Sequence, residues 1–362
     1  MSQASTSETP SARVLVIGLD CATPEWVFHH PDYDLPNLHR LMKQGSFALL
    51  RSCDPPITVP AWSCMMSGRD PGALGIYGFR NRRSHADYRD YAIATSKAVQ
   101  LPRLWDILSE AGKQVCVVGV PQTFPVTPVN GCMISGPLTP DIESDCTYPA
   151  SLKSELLAEC GAIHFDVEGF RHVDRNLLLE RINTLLHNRF DIATYLMRTK
   201  PWDFFMMVDM GVDRLHHAFW RYGDPEHPKF LQDNPLRWAM RDYYQALDQR
   251  IGDLLALAGD DTKVLVVSDH GAKAMHGGVR INQWLMNEGH LHLKNPPAQS
   301  QAFRLEEVDW SRTTAWGEGG YYGRIFLNVA GREAAGILSP DAIPEFKADI
   351  KSALEAMRDP KG

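Results

Sequence analysis

The chain has 362 residues, of which 44% are hydrophobic and 22% are charged, and its formal net charge is −7. These values are ordinary for a soluble globular protein. The chain has no block of basic residues, so its charge gives no reason to expect nucleic-acid binding. The longest apolar runs are about as long as a strand, far short of the roughly 20 residues needed to span a bilayer.

The N-terminus and the cysteines indicate the compartment. Residues 1–12 are polar and lack the apolar core of a secretory signal, so they are predicted to form a disordered tail. The seven cysteines are an odd number with no Cys-x-x-Cys pair, which favours reduced thiols over a disulfide framework. We therefore predict a cytoplasmic protein with neither a membrane nor a nucleic acid as partner.

Predicted strands and helices alternate along the chain. Nearly continuous apolar runs, typical of strands covered on both faces, lie at residues 13–19, 115–120, 204–208 and 263–267, with residues 47–51 as a further candidate. Helical periodicity is found at residues 35–44, 101–111, 151–159, 174–197 and 238–257. The repeated βα units predict an α/β fold with a mostly parallel central sheet sandwiched by helices.

Two stretches predict a smaller covering lobe on a catalytic domain of residues 13–335. Residues 121–175 are rich in Pro, Gly and Thr at their start, and residues 271–335 are rich in Gly, Trp and Tyr. Long loops at strand ends are where binding specificity usually lies, although packing of a covering lobe explains the aromatic residues equally well. Residues 336–362 are predicted to be a C-terminal helical segment, with truncation of the chain as an open alternative.

Carboxylates and imidazoles follow the predicted strands. Asp20 comes directly after the first strand, where it is either a ligand for a divalent cation or a helix N-cap. Asp269 and His270 follow another strand, and the next residue, Gly271, allows a turn that would direct both side chains to one metal. Parallel strands bring such residues together at their carboxyl ends.

A second pair of candidate ligands lies on a predicted helix. Asp213 and His217 are spaced i, i+4 and so share a helix face, which allows both to bind one metal. The neighbouring His216 points elsewhere and is interpreted either as a packing residue or as a residue that supports the ligands from outside. His276, in a glycine-rich loop, is a candidate third ligand, with an exposed loop histidine as the alternative.

Thr58 is the candidate nucleophile. It stands between prolines ahead of a helical run that ends near Gly68, so its hydroxyl would lie at a helix N-terminus that favours an anionic oxygen. A bound metal would lower the pKa of this hydroxyl. The alternative is that Thr58 only caps the helix. Ser63 and Ser67 are rivals, but both are predicted inside the helix.

The order Asp20, Thr58-x-Pro60, Asp213-x-x-x-His217 and Ser268-Asp269-His270-Gly271 resembles the alkaline phosphatase superfamily. Within it, residues 13–330 are most similar to the type I phosphodiesterase/nucleotide pyrophosphatase branch. The resemblance implies a site for two divalent metal ions, Zn²⁺ with Mn²⁺ as the alternative. It implies that Asp20, Thr58, Asp269 and His270 hold one ion, and that Asp213, His217 and a third histidine, here His276, hold the other.

Departures from related families narrow the function. Sulfatases carry Cys/Ser-x-Pro-x-Arg, whereas this chain has Thr58 and, at the arginine position, Trp62. Nucleotide pyrophosphatases typically hold phosphate with an Asn, and Phe79 stands about where that Asn would be, which weakens the expectation of a nucleotide substrate. Arg80 and Asn81 are the predicted substrate-binding residues, with a solvated basic turn as the alternative.

We predict metal-dependent hydrolysis of a phosphodiester or pyrophosphate bond in a small molecule through a phospho-threonine intermediate. A phosphomonoesterase or phospho-group transferase using the same site is the alternative. A non-catalytic protein that keeps the fold is a third reading, and it predicts no turnover with any metal.

Overall fold

The computed structural model describes residues 13–28, 30–297, 299 and 301–358, so the predicted tail of residues 1–12 lies outside the described residues. The strands are β1 (Val14–Leu19), β2 (Arg80–Arg82), β3 (Tyr91–Ile93), β4 (Val115–Val120), β5 (Gly131–Ser135), β6 (Thr147–Tyr148), β7 (Phe204–Asp209), β8 (Lys263–Val267), β9 (Ala315–Gly319) and β10 (Gly323–Leu327). The helices are α1 (Pro24–Val27), α2 (Pro36–Gln44), α3 (Thr58–Ser67), α4 (Pro71–Leu74), α5 (Leu104–Glu110), α6 (Leu152–Cys160), α7 (Arg175–Thr199), α8 (Gly211–Gly223), α9 (Ala239–Ala258), α10 (Ile281–Asn287) and α11 (Ile343–Glu355).

Two compact units divide the chain. The first contains the described residues of Met1–Phe79 and Ala94–His276, and the second contains those of Arg80–Ile93 and Gly277–Gly362. The domain boundaries proposed from the sequence stay a prediction.

The first unit is built on a six-stranded sheet with the order β6-β5-β4-β7-β1-β8. All neighbouring strands are parallel except β5 and β6, which pair antiparallel. Every residue of β4 and β7 is buried, as continuous apolar runs require when helices cover both faces of a sheet. The predicted α/β fold with a mostly parallel central sheet is confirmed.

Two predicted strands differ from the structure. Residues 47–51 form no strand, and Phe47 and Leu49 are 51% and 75% exposed, because no described strand pairs with this segment. Residues 263–267 do form β8, but this strand lies at the edge of the sheet and Leu265 is 47% exposed rather than buried. An apolar run thus predicts a strand more securely than it predicts the strand's depth in the sheet.

The second unit has its own small core around two antiparallel hairpins, β2–β3 and β9–β10. The rings of Tyr88 and Trp310 stack with centroids 3.6 Å apart, and the buried ring of Trp316 meets both edge-on. A buried ion pair joins Arg82 and Glu333 at 2.9 Å.

No helix among the described residues combines the length and the apolar composition that crossing a bilayer requires.

Candidate metal centre

Candidate ligands meet at the carboxyl ends of the neighbouring strands β1 and β8. Asp20 directly follows β1, and Asp269 and His270 follow β8 after one residue. One ligand atom from each of these three residues lies within 4.8 Å of the others, and this is the one such group of three in the described part of the chain. Asp20 and Asp269 are buried and His270 is half-buried. The parallel pairing of β1 with β8 therefore brings together residues about 250 positions apart in the sequence.

Thr58 is the first residue of α3, and its hydroxyl faces the candidate ligands. The N-cap position belongs to Ile57, and no side chain caps the helix. Thr58 Oγ1 lies 3.4 Å from Oδ1 of Asp20 and 3.2 Å from Nε2 of His270. The hydroxyl therefore does not cap α3 and lies beside two of the candidate ligands, while its role as nucleophile stays a prediction.

The hydroxyls of the alternative nucleophiles, Ser63 and Ser67, contact backbone carbonyls of α3. The Ser63 hydroxyl shares its proton between the carbonyl of Val59, at 2.6 Å, and Oε1 of Gln122, and Ser67 Oγ donates to the carbonyl of Ser63 at 2.7 Å. Both hydroxyls therefore lie inside α3, as the sequence predicts.

Hydrogen bonds fix the orientation of both buried carboxylates. Trp62 Nε1 donates to Oδ2 of Asp20 at 2.7 Å, which leaves Oδ1 toward Thr58. The backbone N–H of Cys21 donates to Oδ1 of Asp269 at 3.1 Å. Cys21 has a φ of 65°, in the left-handed region that non-glycine residues rarely adopt and that is concentrated at functional sites.

One buried oxygen of the group accepts no hydrogen bond. Oδ2 of Asp269 has no hydrogen-bond partner among the described residues, although Nε2 of His270 lies 3.4 Å away. A buried carboxylate oxygen without a partner is costly. A divalent cation would remove that cost, so the residues fit a metal ion.

The electrostatics also favour a cation. Burial, and next the charge of Asp269, raise the pKa of Asp20 well above its ordinary value. Burial raises the pKa of Asp269 to about 8. Two buried carboxyls that repel one another would be stabilised in their ionised form by a positive ion between them. The set of carboxylate oxygens and an imidazole suits several divalent metals, zinc among them.

Asp213 and His217 form a second pair on α8, one turn apart. Oδ1 of Asp213 lies 3.2 Å from Nε2 of His217, and Arg214 Nη1 binds Oδ2 of the same carboxylate. Burial opposes ionisation of Asp213, but the His217 hydrogen bond and the Arg214 guanidinium outweigh it and lower its pKa to about 2. The charge of Asp213 in turn acts on Asp20, so the two groups are electrostatic neighbours.

His216 packs away from this pair, as predicted. Its Nδ1 lies 3.6 Å from the thiol of Cys21 and its Nε2 lies 3.2 Å from the hydroxyl of Tyr244. Burial lowers the pKa of His216 to about 3, so the ring is neutral.

Three predicted site residues remain, namely His276, Arg80 and Asn81. His276 is exposed in the irregular stretch that follows β8 and stays a prediction as the third ligand. Arg80 and Asn81 lie on β2 in the second unit, with Arg80 exposed, and their contact with phosphate stays a prediction.

No local sequence pattern indicates a role for several residues that hydrogen-bond the candidate ligands. Trp62 reads in the sequence as an ordinary apolar helix residue, and the Cys21 contact is made by backbone. Arg214 binds Asp166 through two 2.7 Å hydrogen bonds, Nε to Oδ1 and Nη2 to Oδ2. This pairing spans 48 positions and leaves no local pattern that could have revealed it.

Two solved structures are similar to this chain over most of its length. A structure of phosphonoacetate hydrolase from Sinorhizobium meliloti in complex with phosphonoformate is similar, with 16% identity over 77% of this chain and 62% of that chain and a TM-score of 0.49. Human ectonucleotide pyrophosphatase/phosphodiesterase 5 is similar with 14% identity over 78% of this chain and 63% of that chain and a TM-score of 0.43. The chain thus spans less than two thirds of the length of either solved protein.

The comparison with curated proteins gives no match. The model of one protein family, described as type I phosphodiesterase/nucleotide pyrophosphatase, matches residues 14–362, which include every candidate ligand and the threonine at the start of α3. The chain therefore belongs to the type I phosphodiesterase/nucleotide pyrophosphatase family.

Proposed function

We propose that this protein is a metal-dependent phosphoric ester hydrolase that cleaves a phosphodiester or pyrophosphate bond in a small molecule, with Thr58 as nucleophile. The observation that carries the proposal is the position of the Thr58 hydroxyl, 3.4 Å from Asp20 and 3.2 Å from His270 at a helix N-terminus. Membership of the phosphodiesterase family supports the reaction class.

Two sets of residues would hold the metal ions. Asp20, Thr58, Asp269 and His270 would hold one, and Asp213, His217 and His276 would hold the other. When bound, divalent ions of this kind, with zinc as our choice, supply Lewis-acid stabilisation of the oxygens on the reacting phosphorus and lower the pKa of the attacking hydroxyl.

The protein's own residues account for the remaining steps. Thr58 loses its proton to solvent as its Oγ1–P bond forms and the P–O bond to the leaving group breaks, and the departing oxygen takes a proton from water. The backbone N–H groups at the start of α3 favour the negative charge on phosphorus-bound oxygens. Water then hydrolyses the phospho-threonine and restores the hydroxyl. Arg80 and Asn81 remain our proposed phosphate contacts.

The test compares two substitutions of Thr58 with one on the same helix. Thr58→Ala should abolish hydrolysis of bis-p-nitrophenyl phosphate while leaving most of the bound metal, and Thr58→Ser should retain part of the activity. Ser63→Ala is the matched control, because it also removes a buried hydroxyl from α3, but one whose partners are the Val59 carbonyl and Gln122 rather than the candidate ligands. Near-normal turnover by Thr58→Ala would exclude Thr58 as the nucleophile.

The substrate class is tested on the same samples with p-nitrophenyl phosphate. Preference for the diester supports the proposal, whereas preference for the monoester favours a phosphomonoesterase or transferase. No turnover of either compound with zinc, manganese or magnesium would overturn the enzymatic function.

A further inference from the structure

Trp62 links the helix of the nucleophile to a buried candidate ligand. It lies one turn after Thr58 on α3, is 0% exposed, and donates its indole N–H to Oδ2 of Asp20 at 2.7 Å. Oδ1 of the same carboxylate faces Thr58 at 3.4 Å and His270 at 3.6 Å. The two oxygens of Asp20 therefore have different partners, with Trp62 at Oδ2 and with Thr58 and His270 at Oδ1.

The neighbouring strand makes room for this contact. Gly18 lies two residues before Asp20 on β1, and a Cβ at this position would be 2.5 Å from Cη2 of Trp62. It would also be 2.8 Å from Cγ2 of Val208 on β7. The six-membered part of the indole thus occupies space that any side chain at position 18 would take, so the ring has little freedom to turn its N–H elsewhere.

Burial alone does not explain the hydrogen bond. Buried indole N–H groups usually find a partner. In this chain, however, the Nε1 atoms of Trp26 and Trp105 are buried and have no partner among the described residues. Burial by itself therefore does not give an indole of this protein a hydrogen-bond partner, so the bond from Trp62 to Asp20 has a further cause.

We propose that Trp62 is a positioning residue that holds Asp20 with Oδ1 toward the nucleophile, and so couples the placement of α3 to metal binding. This inference rests on the proposed function, because it assumes that Asp20 is a metal ligand. Hydrogen bonds from outer residues orient ligands and typically change metal affinity or activity by about 10- to 100-fold when removed.

The test uses two tryptophan-to-phenylalanine variants. Trp62→Phe removes the indole N–H but keeps an aromatic ring. Trp105→Phe makes the same change at a residue that is 1% exposed and whose N–H has no hydrogen-bond partner in the part of the chain that the structure describes. Trp62→Phe should lose more thermal stability than Trp105→Phe, because it also removes a hydrogen bond to a buried carboxyl. Only Trp62→Phe should bind zinc more weakly, by about 10- to 100-fold in calorimetric titration of chelator-treated protein, with kcat falling more than KM changes.

The outcomes separate the inference from the proposed function. Equal zinc affinity in Trp62→Phe and Trp105→Phe would overturn the role of Trp62, whatever the activity of the wild type. A wild type that binds zinc but hydrolyses no phosphate ester would overturn the proposed function alone, and the zinc affinities would still decide the role of Trp62. A wild type that binds no divalent metal would overturn both.

A second measurement applies if Trp62→Phe does not fold. The assigned indole Nε1–H resonance of Trp62 in the wild-type protein should lie downfield, as expected for a bond to a carboxylate, and should shift when zinc saturates the site. The resonance of Trp105 should not move. A Trp62 resonance that is unchanged by bound zinc would overturn the proposal.

Discussion

The hydroxyl of Tyr243 donates a 2.9 Å hydrogen bond to Oδ2 of Asp209, the last residue of β7. The same carboxylate oxygen lies 3.4 Å from the backbone N–H of Val212 in the first turn of α8, the helix that carries Asp213. Gly211 permits this approach, because a Cβ there would be 1.8 Å from the Tyr243 hydroxyl oxygen. Asp209 and Tyr243 therefore hold the start of α8 in place. The position of that start determines where Asp213 and His217, the second pair of candidate ligands, lie.

We predict that Tyr243→Phe destabilises the protein by about 2 kcal/mol, the range for a buried hydrogen bond to an acidic group. It should also weaken metal binding, because the start of α8 loses a constraint. Chemical denaturation and zinc titration measure the two effects. Tyr195→Phe is the control, since it removes a hydroxyl that hydrogen-bonds a half-buried carboxylate, Glu155, away from α8. Equal losses in the two variants would contradict the role given to Tyr243.

A second prediction concerns Arg214, whose guanidinium joins Asp213 to Asp166. Its side chain is 17% exposed and its bond to Asp166 is bidentate, so this ion pair should contribute more than a surface pair. We expect Asp166→Asn to cost about 1 kcal/mol and to open residues 163–173 to proteolysis. Glu355→Gln, which breaks the exposed pair with Lys351, should cost nothing measurable. A cleavage pattern identical to the wild type would argue against a structural role for Asp166.

The sequence could predict the sheet and the residues at its strand ends. The apolar runs that became β1, β4, β7 and β8 are uninterrupted, and a carboxylate just after such a run lies at the carboxyl end of the sheet whatever the neighbouring strand is. This reasoning located Asp20 and Asp269 without any knowledge of strand order. It failed for residues 47–51, because strand formation there depends on a partner that the segment itself does not encode.

The supporting contacts could not be predicted, because they join residues that are distant in sequence. The bond from Trp62 to Asp20 spans 42 positions and depends on the space above Gly18, which only the packed structure shows. The second unit contains the described residues of Arg80–Ile93 and of Gly277–Gly362, and no local pattern indicates that a short hairpin belongs with the C-terminal quarter of the chain. Composition and periodicity describe single elements, whereas these contacts are properties of their assembly.

A final prediction concerns the pH dependence of stability in the metal-free protein. Burial places the pKa of Asp269 at about 8 in the folded chain, against an ordinary value of 3.8, and the pKa of Asp20 is raised in the same direction. Between these values the unfolded chain releases the proton while the folded chain retains it, so the folded state binds more protons and loses stability as pH rises. The melting temperature of chelator-treated protein should therefore fall from pH 5 to about pH 8 and then level off.

Metal binding should reverse this trend, because ligands bind in their deprotonated form and the ion replaces the proton. Free zinc at about 100 times its Kd would stabilise the folded protein by about 2.7 kcal/mol. The difference in melting temperature between zinc-loaded and chelated samples should therefore widen as pH rises from 5 to 8. Asp269→Asn provides the control, since it removes the titrating carboxyl and should flatten the metal-free slope. A metal-free melting temperature that rises over this interval would contradict the assignment, because it would mean that the buried carboxylates are ionised and stabilised without an ion.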